Sequence, residues 1–193
     1  MENTKFFAGS VKHCKFVFDT LIAKLSHKPL PAWPADLSSD KTPLFVSYHT
    51  LSHDLRGCIG TFSPEPTKKL LPQYALVAAL KDSRFPPISM SEVPNLIVEI
   101  SFLTQFEPGF KAYDWEMGKH GITINFKANG RDFQATYLPH VPPMFKGKED
   151  CMKSLIQKTG FTGNWKTVVD SLEVTRYQSS IVELSYPDYQ KLE

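Results

Sequence analysis

The sequence predicts an α+β fold, and three observations predict it. Residues 44–62 read as one antiparallel hairpin, the turn pair Asn129-Gly130 marks a second, and amphipathic helical segments are interspersed between the strands. A doubly wound fold would instead alternate strands and helices regularly.

The elements follow in chain order. Val11, Cys14, Phe18, Leu21, Ile22 and Leu25 recur at helical spacing over roughly 10–25, with Ser10 as N-cap. Pro29, Pro31 and Pro34 stop that helix, and residues 29–43 read as an irregular connection pinned by Trp33. Residues 44–50 alternate as a strand, and a polar turn at 52–54 leads into a second strand, LRGCIGTF, at 55–62. Its two glycines cost stability in a strand interior and mark a bulge or a close backbone approach. Residues 67–81 are helical, with Pro72 placing the regular part from near Leu71. Ser89-x-x-Glu92 is a capping box for a single turn ended by Pro94. Residues 97–104 form the clearest strand, with Val98, Ile100 and Phe102 on one face and Glu99 and Ser101 on the other. A short helix is expected at 112–118, strands at 122–126 and 132–138, a helix at 148–159 stopped by Gly160, and one or two strands over 172–186.

Composition narrows the class. The 193 residues carry 22 Lys and Arg against 20 Asp and Glu, so a charge of +2 gives little electrostatic footprint for nucleic acid. No apolar run is long enough to cross a bilayer, and the first residues lack the order of a secretory signal. Cys14, Cys58 and Cys151 are odd in number and far apart, so a disulfide framework is not expected. The expectation is a soluble intracellular domain, cytoplasmic or nuclear, with reduced thiols.

Chemistry concentrates around Cys58. In a regular strand Arg56 would share its face and favour the thiolate, while Gly57 and Gly60 would let a ligand approach the backbone. The plain alternative is a small buried hydrophobe. Glu99, on an otherwise apolar strand, must be solvated or paired, with Arg56 or Arg84 as its partner. His120, at the entrance of the strand from Ile122, is placed to act as a base or thiol partner, or to make a structural hydrogen bond. Asp82 and Arg84, in the corner DSRFPP, either pair with each other or present Arg84 to an anion or to Cys58. His49 and His53 lie across a turn, so no metal set is predicted, and there is no phosphate loop, nucleophile elbow or CxxC pair to indicate a cofactor.

Together, LRGCIGTF (55–62), ALKDSRFPP (79–87), VEISFLT (98–104), KHGI (119–122) and ATYLP (135–139) resemble the AMMECR-one domain family in order and spacing. The tail at 175–189 is similar to its eukaryotic members. The resemblance covers residues 10–190 of a single 193-residue domain. It implies an α+β fold of two unequal subdomains: a larger one with an antiparallel sheet flanked by helices, and a smaller one with its own sheet and helices. The cysteine motif at 55–62 would lie near their junction. In prokaryotes the domain occurs beside Memo-type dioxygenase-like and radical-SAM proteins, which implies redox or small-molecule chemistry. A regulatory role is suggested for eukaryotic members.

Two functions follow as expectations. In the first, Cys58 is a nucleophile or thiol ligand, Arg56 or Arg84 stabilises an anion, Gly57 and Gly60 admit the ligand, and Glu99 and His120 handle protons. In the second, the domain is a non-catalytic adaptor that recognises a protein partner through aromatics such as Trp33, Trp115 or Tyr189. Nucleic-acid binding is a weak third.

Overall fold

A computed structural model describes residues 6–192. Helix α1 spans Val11–Leu25, strand β1 Lys41–Thr50, β2 Leu55–Pro66 and α2 Thr67–Leu80. A 3-10 turn at Met90–Asn95 leads into β3, Leu96–Phe110. Then come β4, Gly121–Ala128, β5, Arg131–Tyr137, α3, Lys148–Lys158, β6, Glu173–Ser185, and the short α4, Tyr186–Tyr189. The strands hydrogen-bond in the order β2-β1-β3-β6-β4-β5, and the pairings β1–β2, β1–β3, β4–β5 and β4–β6 are antiparallel. The fold is therefore α+β, an antiparallel sheet flanked by helices. Among the described residues no helix is long and apolar enough to cross a membrane.

The chain divides into two compact units, one of 7–103 with 180–192, the other chiefly Thr104–Ser179. In the first, alternation sorts the strands into two faces. Leu44, Val46 and Tyr48 of β1 and Val98, Ile100 and Phe102 of β3 have no solvent exposure and pack in one core with Phe18 and Leu21 of α1 and Leu71, Ala75 and Ala78 of α2. The Tyr48 hydroxyl donates to Ala75 O at 3.0 Å, which ties β1 to α2. The opposite face carries Phe45, Ser47 and His49 of β1 in register with Gly60, Cys58 and Leu55 of β2 and Ser101, Glu99 and Ile97 of β3.

The second unit repeats the plan. Ile122, Ile124 and Phe126 of β4, Ala135 of β5 and Val174 of β6 pack with Cys151, Met152, Leu155 and Ile156 of α3. The β4–β5 turn is built by Asn129 and Gly130, both left-handed at φ 50° and 72°, as a two-residue hairpin requires.

Local chemistry explains most element ends. The backbone N–H of Ser10 donates to His13 Nδ1 at 3.1 Å, so the α1 cap is closed by an imidazole rather than a carboxylate. Gly160 takes φ 84° just after α3, as the expected stop. Ser89 N–H donates to Glu92 Oε2 at 2.8 Å, which forms the expected box over the 3-10 turn. The Trp33 indole donates to Leu37 O at 3.1 Å and stacks edge-on to Phe16, fixing the proline-rich connection.

Three expectations change. Helix α2 begins at Thr67 rather than near Leu71 and contains Pro72, because the Thr67 hydroxyl, bonded to Ser38 O at 2.8 Å, anchors its first turn. Residues 112–118 form turns, not a helix; they fold around Trp115, which is buried and donates to Ala112 O at 2.8 Å. Trp115 and Tyr189 belong to the interior and Trp33 is partly packed, so these aromatics are no exposed recognition surface.

Gly57 lies where β2 crosses α2. A Cβ there would collide with the Ala78 carbonyl oxygen, a backbone atom that cannot swing away. Gly57→Ala is expected to lower stability by about 1–3 kcal/mol, read as a shifted urea midpoint. Gly147→Ser, at the extended N-cap of α3 with open space around its Cβ, should not lower the midpoint.

Burial of His13 holds its pKa below the ordinary value. The folded state thus binds this proton less readily than the unfolded chain. Its stabilising contribution is complete above about pH 6.5 and is lost as pH falls through the lowered folded value. Urea midpoints measured between pH 5 and 8 should fall on the acid side. His13→Asn, which keeps an acceptor for Ser10 N–H, should flatten that slope, with His120, also lowered by burial, supplying the remainder.

Candidate functional site

β2 enters the ladder with a fault. Tyr48 pairs with Gly57 but His49 pairs with Leu55, so Arg56 is an extra residue and its side chain is released from regular alternation. Its Nε donates to Glu92 Oε1 at 2.8 Å in the 3-10 turn. Beyond the bulge the register recovers, and Cys58, Ser47 and Glu99 form one cross-strand row on the face turned away from α1 and α2.

The Cys58 backbone is gripped from outside the ladder. Its N–H donates to Asp82 Oδ2 at 2.9 Å, and its C=O accepts from Arg84 Nη2 at 3.0 Å. Arg84 also donates to the Asp82 carboxylate through Nε at 3.0 Å, Nη2 at 2.7 Å and its own backbone N–H at 3.1 Å. The local chain makes this possible: α2 ends at Leu80, Phe85 N–H closes a turn on Asp82 O, and Pro86-Pro87 prevents a further helical turn. Because neither Cys58 backbone group bonds to β1, Cys58 and Ser47 are a non-hydrogen-bonded pair, the kind whose side chains stand closest. The Ser47 hydroxyl donates to Cys58 Sγ at 3.1 Å.

Asp82 is 4% exposed and Arg84 53%. Arg84 holds the Asp82 carboxyl far below the usual carboxylate range, burial opposes, and the N–H groups of Cys58 and Arg84 add to the depression. The thiol behaves in the opposite way. Burial pushes Cys58 up; the Ser47 hydroxyl and the Arg84 charge pull it down, and the Glu99 and Asp82 charges push it up again. The expected thiolate stabilisation by arginine is therefore overruled: Arg56 is bound to Glu92, Arg84 is neutralised by Asp82, and burial dominates. Cys58 is held above the ordinary thiol range, chiefly by burial, and it is half-buried whereas Cys14 and Cys151 are buried.

The other expected residues fall as follows. Gly57 serves the approach of β2 to α2, and a Cβ on Gly60 would meet Leu44 O and the Phe45 ring, so both glycines have packing reasons. Glu99 shares the Cys58 row but is bound by neither arginine. His120 lies in the other unit, where it is buried and its Nδ1 accepts from Glu116 N–H at 3.0 Å. The roles of Ser47 and Glu92 were not expected; the first depends on hairpin register and the second on how the 3-10 turn packs against β2, which no local pattern records. Three nitrogens of this unit, His13 Nε2, His49 Nε2 and Arg56 Nη1, are buried without a hydrogen-bond partner among the described residues. No group of three or more His, Cys, Asp or Glu among the described residues is placed to hold a metal ion.

Removing the clamp tests its weight. Asp82→Ala should cost about 1–3 kcal/mol, chiefly by stranding the Cys58 N–H, since half-exposed Arg84 adds little. Because the folded carboxyl is depressed, its contribution is whole above about pH 4 and is lost as pH falls through the folded value. Acid unfolding of wild type and variant should therefore converge at low pH.

Comparison with known proteins matches residues 14–182 to the family model described as AMMECR1. An uncharacterized protein of Schizosaccharomyces pombe is 37% identical over 183 residues, covering 92% of this chain and 94% of the relative. One of Arabidopsis thaliana is 37% identical, covering 90% and 84%. A protein of the archaeon Methanocaldococcus jannaschii is 29% identical, covering 77% and 76%. The crystal structure of an uncharacterized protein from Pyrococcus horikoshii shares the fold, with a TM-score of 0.71 at 24% identity over 91% of each chain.

Proposed function

The chain belongs to the AMMECR1 family, and from that premise we propose that Cys58, Ser47 and Glu99 form a thiol-dependent site for a small molecule. The observation that carries this reading is the register row: a half-buried thiol, a hydroxyl bonded to its sulfur and a carboxylate stand side by side on three strands, away from the helices. Cys58 is the nucleophile or thiol ligand. Its pKa lies above the ordinary value, so it waits as a thiol and needs a proton acceptor when it acts. Glu99 supplies that acceptor. Ser47 orients the sulfur through its O–H, and the Asp82–Arg84 pair keeps the strand from shifting under it. Arg56, Gly57 and Gly60 shape the strand around the thiol; His120 is not needed. In the adaptor alternative, the aromatics expected to recognise a partner are not an exposed surface, because Trp115 and Tyr189 are interior and Trp33 is partly packed.

The test is alkylation of the folded protein by iodoacetamide, followed site by site by mass spectrometry across pH. Cys58 should be modified while Cys14 and Cys151 stay protected, with a midpoint above the free-thiol value of about 8.5. Glu99→Gln should move that midpoint down, because a repelling charge is gone, and Ser47→Ala should move it up. An untouched Cys58 after long exposure, or a midpoint indifferent to Glu99, would sink the proposal.

A further inference from the structure

The second unit has a polar face of its own, independent of the thiol. Alternation places Ile122, Ile124 and Phe126 toward α3, so Thr123, Asn125 and Lys127 of β4 point the other way. Their partners complete the rows. Gln134 and Glu173 flank Asn125, Thr136 and Thr175 flank Thr123, and Asp132 faces Lys127. A half-open surface depression of about 590 Å³ lies here, lined by residues 125–127 and 132–134 with Ser171 and Glu173, and Lys127, Asp132, Gln134, Ser171 and Glu173 in it are exposed. That volume falls within the ordinary range of small-ligand pockets, about 300–1,000 Å³.

Three of its polar side chains are uncommitted. Asn125, Gln134 and Glu173 make no side-chain hydrogen bond or ion pair among the described residues. Lys127 and Asp132 are 3.6 Å apart and pair with each other. Ser171 donates to Val168 O at 2.8 Å and keeps its lone pairs as acceptors. The strands behind the cavity are held rigid, with the Phe126 and Phe133 rings stacked at 5.1 Å and Phe161 set edge-on to both.

The chemistry selects the ligand class. One lysine against two carboxylates disfavours phosphate or carboxylate. With Asp132 paired, a single free carboxylate is too little for a metal or a strongly cationic group. What remains is two amides, each both donor and acceptor, a hydroxyl acceptor and one carboxylate acceptor. Hydroxyl groups, which donate and accept at one oxygen, match that mixture. We propose that this face binds a neutral polyhydroxylated ligand of about monosaccharide size, with Asn125, Gln134 and Glu173 as its hydrogen-bonding row.

The test is a nitrogen-15 NMR titration of the full chain with D-glucose, D-galactose and N-acetylglucosamine, and separately with sodium phosphate. Saturable shifts at 125–134 and 171–173 are expected with at least one sugar. Asn125→Ala and Glu173→Gln should each weaken it by about tenfold with the thermal midpoint unchanged, since neither side chain holds the fold. No saturable shift with any of the three sugars at about 100 mM, a response to phosphate alone, or full binding by both variants would overturn the proposal.

Discussion

The carboxylate of Asp82 stands where another strand would stand. β2 ends the strand order, and an edge strand presents unpaired N–H and C=O groups that invite pairing with foreign chains. At Cys58 both groups are covered, the N–H by Asp82 and the C=O by Arg84. The same two residues close the turn after α2, so one ion pair fixes a helix end, a sheet edge and the height of the thiol. Their sequence proximity is what makes this cheap in entropy: Asp82 and Arg84 are two residues apart, and their mutual bonds are made within one turn before either reaches Cys58.

From that point the geometry propagates by register. Ser47 stands opposite Cys58 in one ladder and opposite Glu99 in the other, so the two registers together set the row. The bulge at Arg56 is what sets the phase. Without it, Leu55 would face the helices and the apolar tip of the hairpin would be inverted. Both units then use one rule, an apolar face under helices and a polar face opposite, but with different content. The first collects a thiol, a hydroxyl and a carboxylate; the second collects amides and hydroxyls around a single charged pair.

Element types were legible because their signals are local. Alternation marked β1 and β3, helical spacing α1, α2 and α3, the turn pair Asn129-Gly130 the β4–β5 hairpin, and Gly160 a stop, all within short windows. Strand lengths were underestimated: the alternating core Ile97–Thr104 sits inside a strand that runs Leu96–Phe110, since polar ends hydrogen-bond as well as apolar ones. The segment 112–118, expected as a short helix, forms turns around the buried indole of Trp115. At the site, Cys58, Glu99 and Arg84 were recognisable as residue types. The Asp82–Arg84 pairing was legible too, because both stand in one short corner; the contacts of Ser47 with the sulfur and of Glu92 with Arg56 were not, since hairpin register and the packing of the 3-10 turn set them.

The division of the chain has a temporal meaning. The unit that contains α1 is discontinuous: its first part ends at Leu103, and its second begins only after Ser179. Gly9 N–H donates to Ser180 Oγ, the Cys14 thiol reaches Val182 O, and the Tyr189 hydroxyl bonds to Asp19. On the ribosome, the helix made first must therefore wait through the synthesis of all of 104–179 before it meets the residues that complete its surroundings. Its apolar face is the one that a nascent chain would have to shield for longest.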